Sequence, residues 1–286
     1  MTNATDDLSW VIERIDQIEA AEQLKDTVMA DIDGVDDADE ALSFKLAYLH
    51  LYGQPTQVED DSSENGSVTL SEGRVYNTDS HKEISSPIVF IPLMLKNMRR
   101  YSSDEGKCTS VDLVYPNMTT PVSGNAQRCA ECPKRFGDSR KCQVVGRITG
   151  VFKGDFQATG AASVIICRTK WARLHKSIFA KIKANMEKEA LESEDRKPIH
   201  SKITDYVVKV SVNSYKNERF PTKKVYELVL NSVTPIDLEP SIADKLHSMH
   251  KELVDKFNED HARRAKFTDG ISPESSDVDD MSDPED

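Results

Sequence analysis

Four cysteines within 35 residues, spaced Cys108-x20-Cys129-x2-Cys132-x9-Cys142, constrain this chain more than any other feature. Cys129-Ala130-Glu131-Cys132 is a knuckle, in which two thiolates grip one metal ion from a single tight turn. Cys108 and Cys142 supply the remaining donors of a tetrahedral all-sulfur site. Zn2+ suits such a site because it is borderline-soft, redox-inert and satisfied by four thiolates. The intervening sequence carries Pro121, Gly124, Asn125, Pro133 and Gly137 but few large apolar residues. Burial cannot give it a shape, so a metal has to organise it. The competing readings are unrelated free thiols or a disulfide pair. Met1–Asp7 has neither a basic nor an apolar leader, and a reducing cytoplasm is therefore expected, which favours thiolate–metal bonding. The expected cofactor is one structural Zn2+ on Cys108, Cys129, Cys132 and Cys142. Cys167 lies in the apolar run 161–167 and is expected to be a buried core thiol.

The net charge of −12 hides a strong partition along the chain. Residues 1–95 carry −15, residues 96–230 carry +12, and residues 231–286 carry −9. A basic middle between acidic ends suggests a polyanion-binding core flanked by segments that repel nucleic acid or compete for its site. No apolar run approaches the roughly 18 residues of a membrane helix, so no membrane partner is expected.

Residues 7–32 show helical spacing of Leu8, Val11, Ile12, Ile15, Ile18, Leu24, Val28 and Ile32. A second helix over about 37–52, with Leu42, Leu46, Leu49 and Leu51, completes an expected N-terminal hairpin, 1–53, suited to docking or homo-oligomerisation. Residues 54–85 are polar and acidic and are expected to be a linker. Residues 86–235 form the expected core. Strand-like runs occur at Ile88–Leu93, Gln143–Phe152, Ala162–Arg168, Tyr206–Asn213 and Lys224–Thr234, with a helix at Lys170–Leu191 and the cysteine window 108–142 as an insertion. A C-terminal helix is expected within 236–268. Residues 269–286, with eight acids and no basic residue, are expected to be a disordered tail. The expected class is α+β: an OB-like small β-barrel with a four-cysteine zinc loop and flanking helices.

The basic middle interleaves cations with rings. Arg99-Arg100-Tyr101, Lys134-Arg135-Phe136, Arg140-Lys141, Lys153, Arg168-Thr169-Lys170, Tyr215 and Arg219-Phe220 all fall at strand ends or in loops. Single-stranded nucleic acid calls for this mixture, since cations track phosphates and rings stack on bases. These are the candidate contacts, although for any one of them an ordinary core ring or solvated cation is the plainer reading. Phe152 and Trp171 are expected to be buried.

Enzyme signatures are missing. There is no Walker A sequence, no GxSxG and no HExxH, and Gly146-x3-Gly150-x3-Gly154 lacks the Gly-Lys-Ser/Thr of a phosphate loop. His81-Lys82-Glu83 precedes the knuckle as in zinc deaminases, but Arg128 rather than proline stands before Cys129. His247-x2-His250 reads as a helix face rather than a metal pair.

The run Ile88–Arg100, the Cys108/Cys129/Cys132/Cys142 insertion, the junction Cys167–Ile182 and the acidic end Asp277–Asp286 together resemble bacteriophage single-stranded DNA-binding proteins of the zinc-containing OB-fold kind, such as the helix-destabilising proteins of T-even phages. The resemblance is architectural, covers roughly 86–286, and departs from that family in having four cysteine ligands. It implies coating of single-stranded DNA in replication or recombination, with the acidic tail a competitor for the groove or a handle for replisome or recombination proteins. A zinc-containing regulator reading duplex DNA and a protein-interaction adaptor are the alternative classes.

Overall fold

Ile88-Val89-Phe90-Ile91-Pro92-Leu93 alternates its side chains between two separate apolar clusters, so a strand here needs cover on both faces. The computed structural model describes residues 8–30, 46–59, 66–103, 106–110, 113–115, 128–132, 142–167, 173–216 and 224–268. It divides into two units, residues 1–96 with 145–253 and residues 97–144 with 254–286.

The first unit is mixed α+β. In chain order its elements are α1 (Ser9–Ala30), β1 (Ala47–Leu51), β2 (Thr56–Glu59), β3 (Ser67–Leu70), β4 (Val75–Asn77), β5 (Glu83–Ile84) and the long β6 (Ile88–Ser103), which continues into the second unit and is followed there by β7 (Gly106–Ser110). Then come β8 (Gln143–Phe152), whose first two residues belong to the second unit, α2 (Asp155–Thr159), β9 (Ser163–Cys167), α3 (Leu174–Glu192), β10 (Tyr206–Lys216), β11 (Lys224–Pro235) and α4 (Pro240–Thr268), which passes into the second unit after Leu253.

The sheet runs β11-β10-β6-β8-β9-β1-β4-β5, with β7 on the far end of β6. Pairings β10–β11, β10–β6, β8–β9, β1–β4 and β4–β5 are antiparallel, and β1 joins β9 in parallel. The β10–β6 ladder covers Ile88–Phe90. Pro92 stands beyond it and has no N–H to extend it.

One face of this sheet sends Ile88, Phe90, Ile148, Phe152, Tyr206 and Val208 against Leu174, Ile178 and Ile182 of α3. Phe90 and Phe152 stack there at 4.7 Å. The other face sends Val89, Ile91, Leu93, Val151 and Val207 against Val11 and Ile15 of α1 and Ile242, Leu246 and Leu253 of α4. Each fully buried side chain of this kind contributes about 1.5–3 kcal/mol.

The five core strands expected from the sequence are present as β6, β8, β9, β10 and β11 and are consecutive in the sheet. The N-terminal expectations are corrected. Residues 47–51 are a strand, not the second helix of a hairpin. Tyr48-Leu49-His50-Leu51 satisfies helical spacing and strand alternation equally, and pairing with β9 and β4 decides between them. Leu8, just before α1, and Trp10, Val11 and Ile15 of α1 pack in the chain's own core. Residues 54–85 are not a linker, for they hold β2–β5, with Val75, Tyr76 and Asn77 buried. The acidic run that dominated that reading, 60–65, and the tail 269–286 lie outside the described residues. Among the described residues no helix is long and apolar enough to cross a membrane.

A buried polar node ties the added strands to the core. Asp155, at the start of α2, accepts from Asn77 Nδ2 on β4 at 2.6 Å and from the Ser163 hydroxyl on β9. Asn77 Oδ1 in turn accepts the N–H groups of Asp79 and Ser80 at 2.8 and 3.0 Å. Replacing Asp155 by Ala leaves two buried donors unmatched, with an expected loss of about 2–4 kcal/mol by urea unfolding. A change below about 0.5 kcal/mol would contradict the role given to this node.

Candidate functional site

Past Lys96 the apolar alternation of β6 gives way to Asn97-Met98-Arg99-Arg100-Tyr101, and this end of the strand lies in the second unit. Here β6 pairs with β7 so that Arg99 faces Ser110 and Tyr101 faces Cys108. Strand alternation therefore puts Arg99, Tyr101, Cys108 and Ser110 on one face, with Arg100 on the other. The sequence reading made the cysteine window a loop insertion, whereas its first ligand candidate sits on a paired strand.

The knuckle is held by its backbone. The Cys129 N–H donates to Val114 O at 2.7 Å, and the Glu131 N–H closes a turn on Arg128 O at 3.0 Å. Cys129 is buried, and Cys108, Cys132 and Cys142 are half-buried. Burial pushes the Cys129 thiol above its usual range, the Ser110 hydroxyl donating to it pulls the other way, and Cys142 and Cys108 raise it again by charge repulsion. Cys142 is likewise raised by burial and by repulsion from Cys108 and Cys132, against the charge and hydrogen bond of the Arg99 guanidinium. Cys129 and Cys142 thus feel the charge of neighbouring cysteines and of Arg99. Among the described residues, no three His, Cys, Asp or Glu side chains are grouped so as to hold a metal ion. The donor set itself fits a thiophilic cation: four cysteine sulfurs, once deprotonated, would repel one another, and a cation replacing their protons offsets that repulsion.

Several predicted nucleic-acid contacts change character. Tyr101 is 4% exposed and offers no ring to a base, because strand pairing, unseen in the sequence, carries it into the interior. Arg99 is turned to the thiols, while Arg100 is half-buried on the opposite face. Tyr215 lies on the β10–β11 hairpin opposite Val225 and is half-buried. Lys134, Arg135, Phe136, Arg140, Lys141, Arg168, Lys170, Arg219 and Phe220 lie outside the described residues. In the first unit Lys153 is exposed beside a cleft of about 210 Å³, also lined by Lys82, Glu83, Asp155 and Gln157. Lys82, 71 positions away in sequence, had no signal of its own before β5 brought it there.

The other sequence features resolve into packing. An added Cβ at Gly150 would lie 2.5 Å from Ile91 O, so this glycine permits close strand approach rather than phosphate binding. His247 Nε2 lies 3.4 Å from Asp205 Oδ1 and its Nδ1 accepts from Lys202 Nζ at 2.8 Å, whereas His250 Nδ1 donates to Leu93 O at 2.5 Å. These two histidines tie α4 to its neighbours. Cys167 is the expected core thiol, fully buried and pushed up to about 12 by that burial even though the His175 N–H donates to its sulfur.

No protein-family model, no curated protein and no solved structure matches this chain.

Because Arg99 favours the Cys142 thiolate, Arg99→Ala in metal-free protein should slow alkylation of Cys142 by roughly three- to tenfold near pH 8.5, followed by peptide mass spectrometry. An equal or faster rate would contradict the contact.

Proposed function

We propose that this chain is a non-enzymatic, sequence-tolerant single-stranded DNA-binding protein that coats strands during phage replication or recombination. The observation that carries the reading is the charge partition: a middle of +12 set between ends of −15 and −9, with cations and rings interleaved through it. Coulomb attraction to phosphates and stacking on exposed bases are the two terms such binding needs. The consecutive strands β11-β10-β6-β8-β9 are read as the OB-like platform. Lys153 and Lys82, at one cleft of the first unit, add cations to it.

Zinc is the structural cofactor in this proposal, held by Cys108, Cys129, Cys132 and Cys142. When bound it supplies a dication that offsets thiolate repulsion and closes the apolar-poor segments between the ligands. Arg99 then balances part of the remaining negative charge. That region carries Lys134, Arg135, Phe136, Arg140 and Lys141, so fixing it presents a dense set of cations and one ring to the strand. The acidic stretch 269–286 acts as a competitor for the basic surface or a handle for replication proteins.

Fluorescence anisotropy of labelled single-stranded and duplex oligonucleotides of several sequences tests this directly. The expected result is saturable single-strand binding, indifferent to sequence and at least tenfold tighter than duplex binding. Equal or tighter duplex binding would instead favour a duplex-reading regulator, and no binding to either would favour an interaction adaptor.

A further inference from the structure

Helix α3, between β9 and β10, covers one face of the sheet with its inward side. Leu174, His175, Ile178 and Ile182 are buried there. Asn185 Nδ2 donates to Val233 O of β11 at 3.3 Å, fixing the helix against that edge strand. Packing therefore determines which residues the outward face presents.

Phe179 is one of them, 53% exposed. A single exposed apolar side chain is ordinary on a protein surface. This one is distinguished by its neighbours. Lys176 lies three residues before it and Lys183 four residues after it, so both flank the ring along one stripe of the helix. Both lysines are exposed, as is Arg173 at the N-cap. Lys183 approaches Glu187 at 3.5 Å, but that pair is open to solvent and weak.

The charge around the ring is as one-sided as the chain offers. No acidic residue occurs between Asp155 and Glu187, although an even spread of the chain's 49 acids would place about five there. An exposed ring between two ammonium groups, on a helix whose first acid is Glu187, is complementary to an unpaired base with a phosphate on either side. Duplex DNA hides its base faces and leaves the ring without a partner, while an acidic protein surface would use the lysines but not the ring.

We propose that Lys176, Phe179 and Lys183 on α3 form a base-stacking site for single-stranded nucleic acid, with a base on the Phe179 ring and its flanking phosphates on the two lysines. This site rests on the single-strand reading above and adds to it a specific ring that sequence patterning does not single out.

The test uses the full chain and a labelled oligothymidylate. Phe179→Ala should weaken binding about tenfold with the salt slope unchanged, and Phe179→Tyr should restore it. Lys176→Gln with Lys183→Gln should weaken binding and reduce the slope by about one to two. Irradiation of a strand containing 5-iodouracil should cross-link within the peptide holding Phe179. Wild-type affinity in Phe179→Ala, with the unmodified chain binding normally, overturns this site and leaves the broader reading intact. Failure of the unmodified chain to bind any single strand at low salt removes both. Loss of self-association in Phe179→Ala at unchanged DNA affinity would assign the ring to a second copy of the chain and overturn the proposal.

Discussion

Double-sided burial of β6 is the constraint on which the rest of this structure depends. A strand that sends Ile88 and Phe90 to one side and Val89, Ile91 and Leu93 to the other exposes no polar face, so it must be central and covered twice. α3 supplies the cover on one side, and α1 with the first part of α4 supplies it on the other. The same requirement explains why β6 is flanked by β10 and β8 and why β1, β4 and β5 are recruited beyond β9. Each added strand contributes apolar residues to a core that five strands and one helix would leave partly open, Leu49, Val75 and Ile84 among them.

Beyond Lys96 the apolar supply of β6 ends, and a different physics takes over. Arg99, Cys108 and Ser110 share a face of the β6–β7 pair and meet Cys129 and Cys142 through charge and hydrogen bonds. Burial and repulsion between neighbours both disfavour the Cys129 and Cys142 thiolates, and Ser110 and Arg99 oppose them. A site held in that condition is stabilised by a cation far more than by further apolar contact. This is why the proposed zinc belongs with the second unit, and why the first unit can be explained without it.

Strong periodicity was legible in the sequence, and pairing was not. The β6, β8, β9, β10 and β11 runs carry continuous or alternating apolar residues that only strands use well, and α3 shows Leu174, Ile178 and Ile182 at helical spacing. β1 was misread because five residues cannot separate a period of 3.6 from a period of 2, and its neighbours come from positions far along the chain. β2–β5 were hidden by the acids between them. Tyr101 and Lys82 show the same limit at the level of the site. The ring looked available until β7 was paired with its strand, and the lysine looked ordinary until β5 placed it beside the cleft with Lys153. Phe179 escaped notice because residue type cannot tell which apolar residue of a helix misses the core.

The most direct measurement is the binding of oligothymidylate across a salt series, comparing zinc-loaded protein with protein stripped by a chelator. The account predicts saturable binding by the zinc-loaded form, weakening with a log–log slope of about −3 for four or five phosphate contacts, and at least tenfold weaker binding by the stripped form. Absence of binding at low salt by either form, or identical isotherms for the two, would contradict it.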